Sequence, residues 1–230
     1  MKINFKKFCS IAVIATAMTM AGCASPELLQ NSKYTDKVMV SSNNPVLLFP
    51  MSLHGTPGDD TEVGLAISAA VVGKYGTAVI SGQQLRSVVG NLSWSLGEGM
   101  RRNANNGSFT LSGSSAKTAA DLKSALSKLT DGLKKAGAVD ANFKFKHIIA
   151  LHVDSAGGIS IPFMRKVTAF GGLLDIETLD IITYIEKDIT LADDSAAVLG
   201  QMPTEMNSII DELVWTAESK AKADEEANAE

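Results

Sequence analysis

The chain has 230 residues, of which 45% are apolar and 20% charged, and its 21 basic and 25 acidic side chains leave a formal charge of −4. That acidic balance excludes a nucleic-acid binder, which needs a basic surface to release counterions from phosphates. The length allows one substantial core or at most two small ones, and two cysteines are too few for a disulfide framework.

The first 22 residues read as a segment removed on export. Lys2, Lys6 and Lys7 precede an uncharged run from Phe8 to Gly22 rich in Ile, Val, Ala and Met, and a basic end followed by a short apolar run is the pattern of a signal peptide. The run is shorter than the roughly 20 residues that span a hydrocarbon core, and no later segment is both long enough and free of charge. It ends in Met20-Ala21-Gly22-Cys23, which resembles the lipobox of bacterial lipoproteins, with Met20 in place of the usual Leu. The resemblance implies cleavage between Gly22 and Cys23 and a diacylglyceryl group on the Cys23 thiol. The alternative is a thiol buried after an ordinary signal. Ala24 stands where enterobacterial retention in the inner membrane wants Asp, so the resemblance implies the outer membrane. A single acyl chain binds marginally whereas two or more anchor stably. Cys9 leaves with the signal and Cys23 is taken by lipid, so no thiol remains for a disulfide or a metal. With the signal lysines gone, 18 basic against 25 acidic residues give the mature chain a charge of −7.

From 23 to 44 the chain is polar and reads as a lipidated tether, with a short edge strand at Lys37 to Val40. A single domain is expected over 45–216. Val46 to Phe49, an apolar run between Pro45 and Pro50, suits a strand buried on both faces. After a Gly/Pro loop from His54 to Asp60, Thr61 to Tyr75 carries Val63, Ile67, Ala70 and Val71 at helical spacing, with Gly76 as a stop. Thr77 to Ile80 reads as a second buried strand. After Gly82 a helix is expected with Leu85, Val88, Val89, Leu92 and Leu96 on its apolar face. Asn103 to Lys117 is rich in Asn, Gly and Ser and predicts an exposed, mobile loop. Thr118 reads as an N-cap, followed by an apolar stripe of Leu122, Ala125, Leu126, Leu129 and Leu133.

His147 to Val153 predicts a strand followed by a Gly157-Gly158 turn. Val167 to Ile176 and Ile181 to Leu191 flank Glu177-Thr178-Leu179-Asp180 as a β-hairpin. A last helix starting near Asp194 or Pro203 carries Val198, Met206, Ile209, Ile210, Leu213 and Val214 on one face. The charged, Ala-rich tail over 217–230 reads as disordered. The sum is an α/β fold, an α+β sandwich with a mixed sheet of about five strands packed by three to four helices.

This order of elements, with Ser81-Gly82-Gln83-Gln84-Leu85 after the second strand and Asp175-x-x-Thr178 in the late hairpin, resembles the periplasmic α/β domain of three groups. They are the curli-export lipoproteins, the lipoprotein activators of penicillin-binding proteins, and the amino-terminal domain of the TolB family. The likeness covers Pro45 to Trp215. It implies a periplasmic domain that docks on an envelope machine, alone or as part of a ring. The Asn/Gly/Ser insertion departs from the pattern. The chain also lacks the transmembrane hairpins of the curli exporter, so pore formation is not implied.

Chemical motifs are sparse. His147 and His152 stand five apart on one strand and point to opposite faces, which argues against a shared metal. His54 with Asp59, Asp60 and Glu62 reads as a capped helix start rather than a cation site. Gly73-Lys74 lies inside a helix and lacks the rest of a phosphate loop. Ser81 lacks the glycines of a nucleophile elbow and reads as an N-cap. No catalytic residue, metal site or cofactor is expected. Arg101 and Arg102 beside the polar loop could meet lipid headgroups or anionic glycan, and Trp94 and Trp215, placed on predicted helices, are candidate partner anchors.

The sequence thus predicts a non-enzymatic lipoprotein of the outer membrane, facing the periplasm. It would bind an envelope protein, itself or both, as an assembly module for secretion, an appendage or cell-wall synthesis. Two other classes remain open: a carrier of a small apolar ligand, and a hydrolase of peptidoglycan or glycan.

Overall fold

In the computed structural model the described residues are 37–54, 60–82, 92–111, 113–137, 139–154, 164–192 and 194–228. The expected strand pattern follows from where apolar side chains must go. Val46–Leu48 forms β2, and from Val46 to the following Phe49 alternate residues feed different cores: Val46 and Leu48 join one cluster, Leu47 and Phe49 the other. Burying such side chains contributes about 2 kcal/mol each, which only a strand covered on both faces collects twice.

Six strands make the main sheet. β3 (Ser52–His54), β4 (Val79–Ser81), β5 (His147–Asp154), β6 (Met164–Asp175) and β7 (Ile181–Ala192) join β2 in the order β4-β2-β5-β6-β7. β2 and β3 both run parallel to β5, one along its start (Leu47 opposite Ile148) and one along its end (Ser52 opposite His152). β4 lies parallel to β2, while β6 and β7 complete the sheet as an antiparallel pair. This is the mixed sheet expected.

Helices cover both faces. α1 (Asp60–Tyr75) and α4 (Ser195–Leu213) pack over Ile149, Leu151, Val167, Ala169 and Ile185, whereas α2 (Leu92–Asn105) and α3 (Gly113–Lys135) cover Ile148, Ala150, Phe170, Leu174 and Tyr184. Two adjacent glycines in β6 set how closely the layers approach. A Cβ on Gly171 would stand 2.2 Å from Ile209 Cγ2 of α4, and one on Gly172 would stand 2.5 Å from Met100 Cε of α2. Bare backbone there admits a helix on each side.

Several expectations are corrected. The segment read as a mobile loop over Asn103 to Lys117 is helical at both ends, and its link is pinned to the hairpin. The Ile181 amide donates to the Phe109 carbonyl at 2.6 Å, the Leu111 amide to the Leu179 carbonyl at 3.0 Å, and Phe109 and Leu111 are buried. Composition misled because these two apolar side chains outweigh their polar neighbours. Thr118 is no N-cap, since α3 begins five residues earlier at Gly113. The Thr77 to Ile80 strand starts only at Val79, because Gly76, with φ of 57°, opens a 3-10 turn over Gly76–Ala78.

The tail read as disordered forms α5 (Ala217–Ala227), capped by Thr216 and Ser219, whose side chains and backbone amides bond reciprocally. α4 begins after Asp194, whose carboxylate accepts from the Ala197 amide at 2.7 Å, and it carries Pro203 in its interior. The expected edge strand is real but lies off the main sheet: β1 (Val38–Met39) pairs in parallel with β8 (Val214–Trp215). Residues 55–59, 83–91 and 155–163 are outside the described residues, so the readings of the Gly/Pro loop, of Gln83-Gln84-Leu85, of Leu85 to Val89 as helix, and of the Gly157-Gly158 turn fall there.

Candidate partner-facing surfaces

Helical spacing places Glu98, Arg101 and Arg102 on one turn of α2, above the outer half of β5. Glu98 accepts from Arg101 Nε at 3.0 Å and from Arg102 Nε at 2.7 Å. Arg101 also faces Glu186 at 3.5 Å and Asp154 at 3.9 Å. Beneath them His152 is 1% exposed, with Nε2 3.5 Å from Glu98; a Cβ on Gly97 would stand 2.9 Å from its Cβ, so glycine lets α2 settle over the imidazole. Burial pushes the Glu98 carboxyl up, but the hydrogen bonds from Arg101 and Arg102, with the charges of Arg101 and His152, outweigh it and hold the group below its ordinary range. The Glu98 hydrogen bond raises Arg101 in turn. An ionised carboxylate locked between guanidiniums is a structural ion pair, and it is poorly suited to moving protons. Arg101 shares its charge among three carboxylates. The Arg102 side chain, 64% exposed, is the accessible member.

A second cluster gathers where the chain enters the domain. Lys37 Nζ donates to the Asp211 carbonyl at 2.8 Å, pairs with Glu212 at 3.3 Å and lies 4.2 Å from the centroid of the Trp215 ring. Lys220 approaches the same ring at 5.8 Å. Asp211 also accepts from Tyr75 at 2.7 Å and pairs with Lys74, and burial followed by the Asp211 bond raises the Tyr75 hydroxyl far above its usual range. Trp215 is therefore a strand residue between two cations, not the helical residue predicted. Lys37, within the stretch read as the tether, and Lys220, at the base of α5, are thereby tied to one corner.

The third feature is a cleft at the other face of the sheet. α3 supplies Lys123, Leu126, Ser127, Thr130, Asp131 and Lys134. Two adjoining hollows of about 270 and 490 Å³ separate it from Lys144, Phe145, Lys146, Asp175, Ile176 and Glu177. Leu126 and Phe145 are buried and make an apolar floor. Lys123 donates to the Glu177 carbonyl at 3.2 Å, whereas Lys134, Lys144 and Lys146 form no ion pair among the described residues. Asp175 is occupied by the hairpin turn, accepting from the Glu177 and Thr178 amides at 2.7 and 2.9 Å. That turn explains the Asp175-x-x-Thr178 pattern, with Leu179 held at a φ of 64°.

Gly22, Cys23, Asp59 and the side chains of His54 and Trp94 lie outside the described residues, although Trp94 itself falls within α2. His147 and His152 do sit on opposite faces of β5. His147 stands 4.0 Å from Asp175, and its imidazole is lowered by burial, against the pull of Asp175 and with the help of Lys146. Ser81 ends β4, with its hydroxyl 2.7 Å from that of Ser68. Lys74 is inside α1 and paired with Asp211, as a helical reading of Gly73-Lys74 requires. No group of three or more His, Cys, Asp or Glu side chains among the described residues could hold a metal ion, and no helix there is long and apolar enough to cross a membrane. The sequence reading missed the lysine cleft, whose only local signal was Lys144-Phe145-Lys146 alternating before a strand.

No protein-family model matches the sequence, and no curated protein matches it. Among solved structures the chain is similar to a PelC dodecamer from Paraburkholderia phytofirmans, at 10% identity and a TM-score of 0.37 over 78% of this chain and 91% of that one. It is also similar to the lipoprotein GNA1162 from Neisseria meningitidis, at 16% identity and a TM-score of 0.32 over 71% of this chain and 95% of that one. At such identities and scores neither likeness carries a role across.

Proposed function

We propose that the chain is exported, lipidated on Cys23 after cleavage behind Gly22, and held on the periplasmic side of the outer membrane. There it acts as a non-enzymatic binding and assembly module for an envelope machine. The observation that carries this reading is the basic, apolar, Met20-Ala21-Gly22-Cys23 leader, since a covalent lipid of two or more chains fixes where the domain works. The resemblance of Pro45 to Trp215 to periplasmic docking domains supports the assembly role. So does the chemistry of the polar clusters. Glu98 stays ionised between arginines and the two strand histidines face apart, so the groups that could have formed an acid–base pair are spent on the fold.

Lys37 and the base of α5 meet at one corner, on the Trp215 ring, and Arg102 stands exposed on α2. In-cell photocrosslinking from Arg102 and Trp215, with products identified by mass spectrometry, tests the reading. One or two discrete envelope partners are expected. A uniform absence of protein crosslinks from anchored, folded protein would reject the assembly role.

A further inference from the structure

α5 presents a physical problem. It is 11 residues long and buries none of them, whereas isolated helices below about 12–15 residues are marginal in water. Its capping box contributes about 1 kcal/mol and the pairs Lys220–Asp224 and Lys222–Glu226 only tenths of a kcal/mol each, too little to hold so short a helix alone. Those pairs consume both of its lysines. Glu218 and Glu225 form no ion pair among the described residues, and at seven residues apart they fall on one face, about 10 Å from each other along the axis. Ala221 lies between them on the same stripe.

The cleft between α3 and the base of the hairpin is the complement. Its lining carries four lysines against three carboxylates, Asp131, Asp175 and Glu177, of which Asp175 is engaged by the hairpin turn; Lys134, Lys144 and Lys146 form no ion pair among the described residues, Lys123 is bound to a carbonyl, and Leu126, Phe145 and Ile176 make an apolar floor that suits alanine. In one molecule the two features serve different faces of the sheet. The floor belongs to the core under α2 and α3, while α5 follows β8, whose Val214 belongs to the core under α1 and α4.

We propose that α5 of one copy docks in the lysine cleft of a second copy, with Glu218 and Glu225 meeting the lysines. Because donor and acceptor are different surfaces, the contact is head-to-tail and propagates into a ring or a filament. A single short helix covers well under the roughly 800 Å² per partner of a standard interface, so each contact is weak in dilute solution. Confinement on a membrane raises the effective concentration and favours it.

The mature chain has no thiol besides Cys23, which makes cysteine pairing a clean test. The full-length chain carrying both E225C and K144C is expressed in cells, oxidised and run without reductant. A ladder of dimers and higher multiples is expected, with neither single variant giving more than a trace. Adding K146E and K134E should cut the ladder at least tenfold, and adding E218K to that chain should partly restore it. Three results would overturn the proposal: no ladder from folded protein, equal dimers from one single variant, or a ladder unmoved by K146E and K134E. The same two substitutions are also read on vesicles of anionic phospholipid. A tenfold loss of vesicle binding with an unchanged ladder would assign the lysines to lipid headgroups instead. Membrane fractionation of the same cells reports anchoring separately, so a failure of lipidation is distinguishable from a failure of docking.

Discussion

Gly171→Ala tests how closely α4 lies on the sheet. The added methyl would stand 2.2 Å from Ile209 Cγ2, 3.3 Å from Leu213 Cδ1 and 3.4 Å from Leu151 Cδ2. Carbon atoms prefer about 3.5–4.0 Å, so the first contact must open by more than 1 Å. Ile209 is fully buried and β-branched, and in a helix its χ1 is held to one rotamer, so it cannot swing away. Either α4 lifts or β6 bends, and overpacking of this kind costs about 1–3 kcal/mol. Alanine recovers about 0.5–1 kcal/mol of backbone entropy that glycine loses in a strand, which leaves a net loss of about 1–2 kcal/mol. For a domain of this size that is a fall in Tm of roughly 2–8 °C.

Urea unfolding followed by circular dichroism measures it, with Ile209→Ala and the double variant closing a cycle. The double should be more stable than the sum of the singles predicts by at least about 1 kcal/mol, because removing Cγ2 makes room for the methyl. A Gly171→Ala protein as stable as the parent, or an additive cycle, would refute the close approach.

Two further predictions concern the charged clusters. Glu98→Gln should destabilise the domain by about 1–3 kcal/mol, as hydrogen bonds to two guanidiniums are weakened inside a half-buried network; the urea midpoint checks it, and a change below about 0.5 kcal/mol would show the network to be idle. His147 is lowered by burial, so below its unfolded value of about 6.5 the unfolded chain takes up a proton that the folded chain refuses. Stability should therefore fall as pH drops from about 6.5 through the folded value, and His147→Gln should flatten that part of the profile.

Much of the architecture was legible because apolar periodicity reports burial directly. Val46 to Phe49, His147 to Val153 and the pair of long strands around Glu177 to Asp180 carry alternation or continuous apolar runs, and the stripe from Val198 to Val214 marks α4. What misled the reading was composition where tertiary contacts decide. Phe109 and Leu111 fasten an Asn/Gly/Ser segment to the hairpin, and the Thr216 and Ser219 cap starts a helix in a stretch that charge alone would leave disordered. β1 was visible as a short strand, but its partner 176 residues later was not, since nothing local in Val38-Met39 points to Val214-Trp215. The surfaces were harder still. Arg101 and Arg102 look alike in sequence, yet only the fold brings Glu186 and Asp154 to one of them and leaves the other exposed. The lysine cleft joins α3 to residues before β5, a pairing that only packing creates.

The central claim is the lipid anchor, and metabolic labelling with an alkyne fatty acid tests it most directly. The parent chain should be labelled, fractionate with the outer membrane and run as a processed band, while Cys23→Ala should lose the label and leave the membrane. Label retained by Cys23→Ala, or an unlabelled parent chain that is secreted and soluble, would contradict the account.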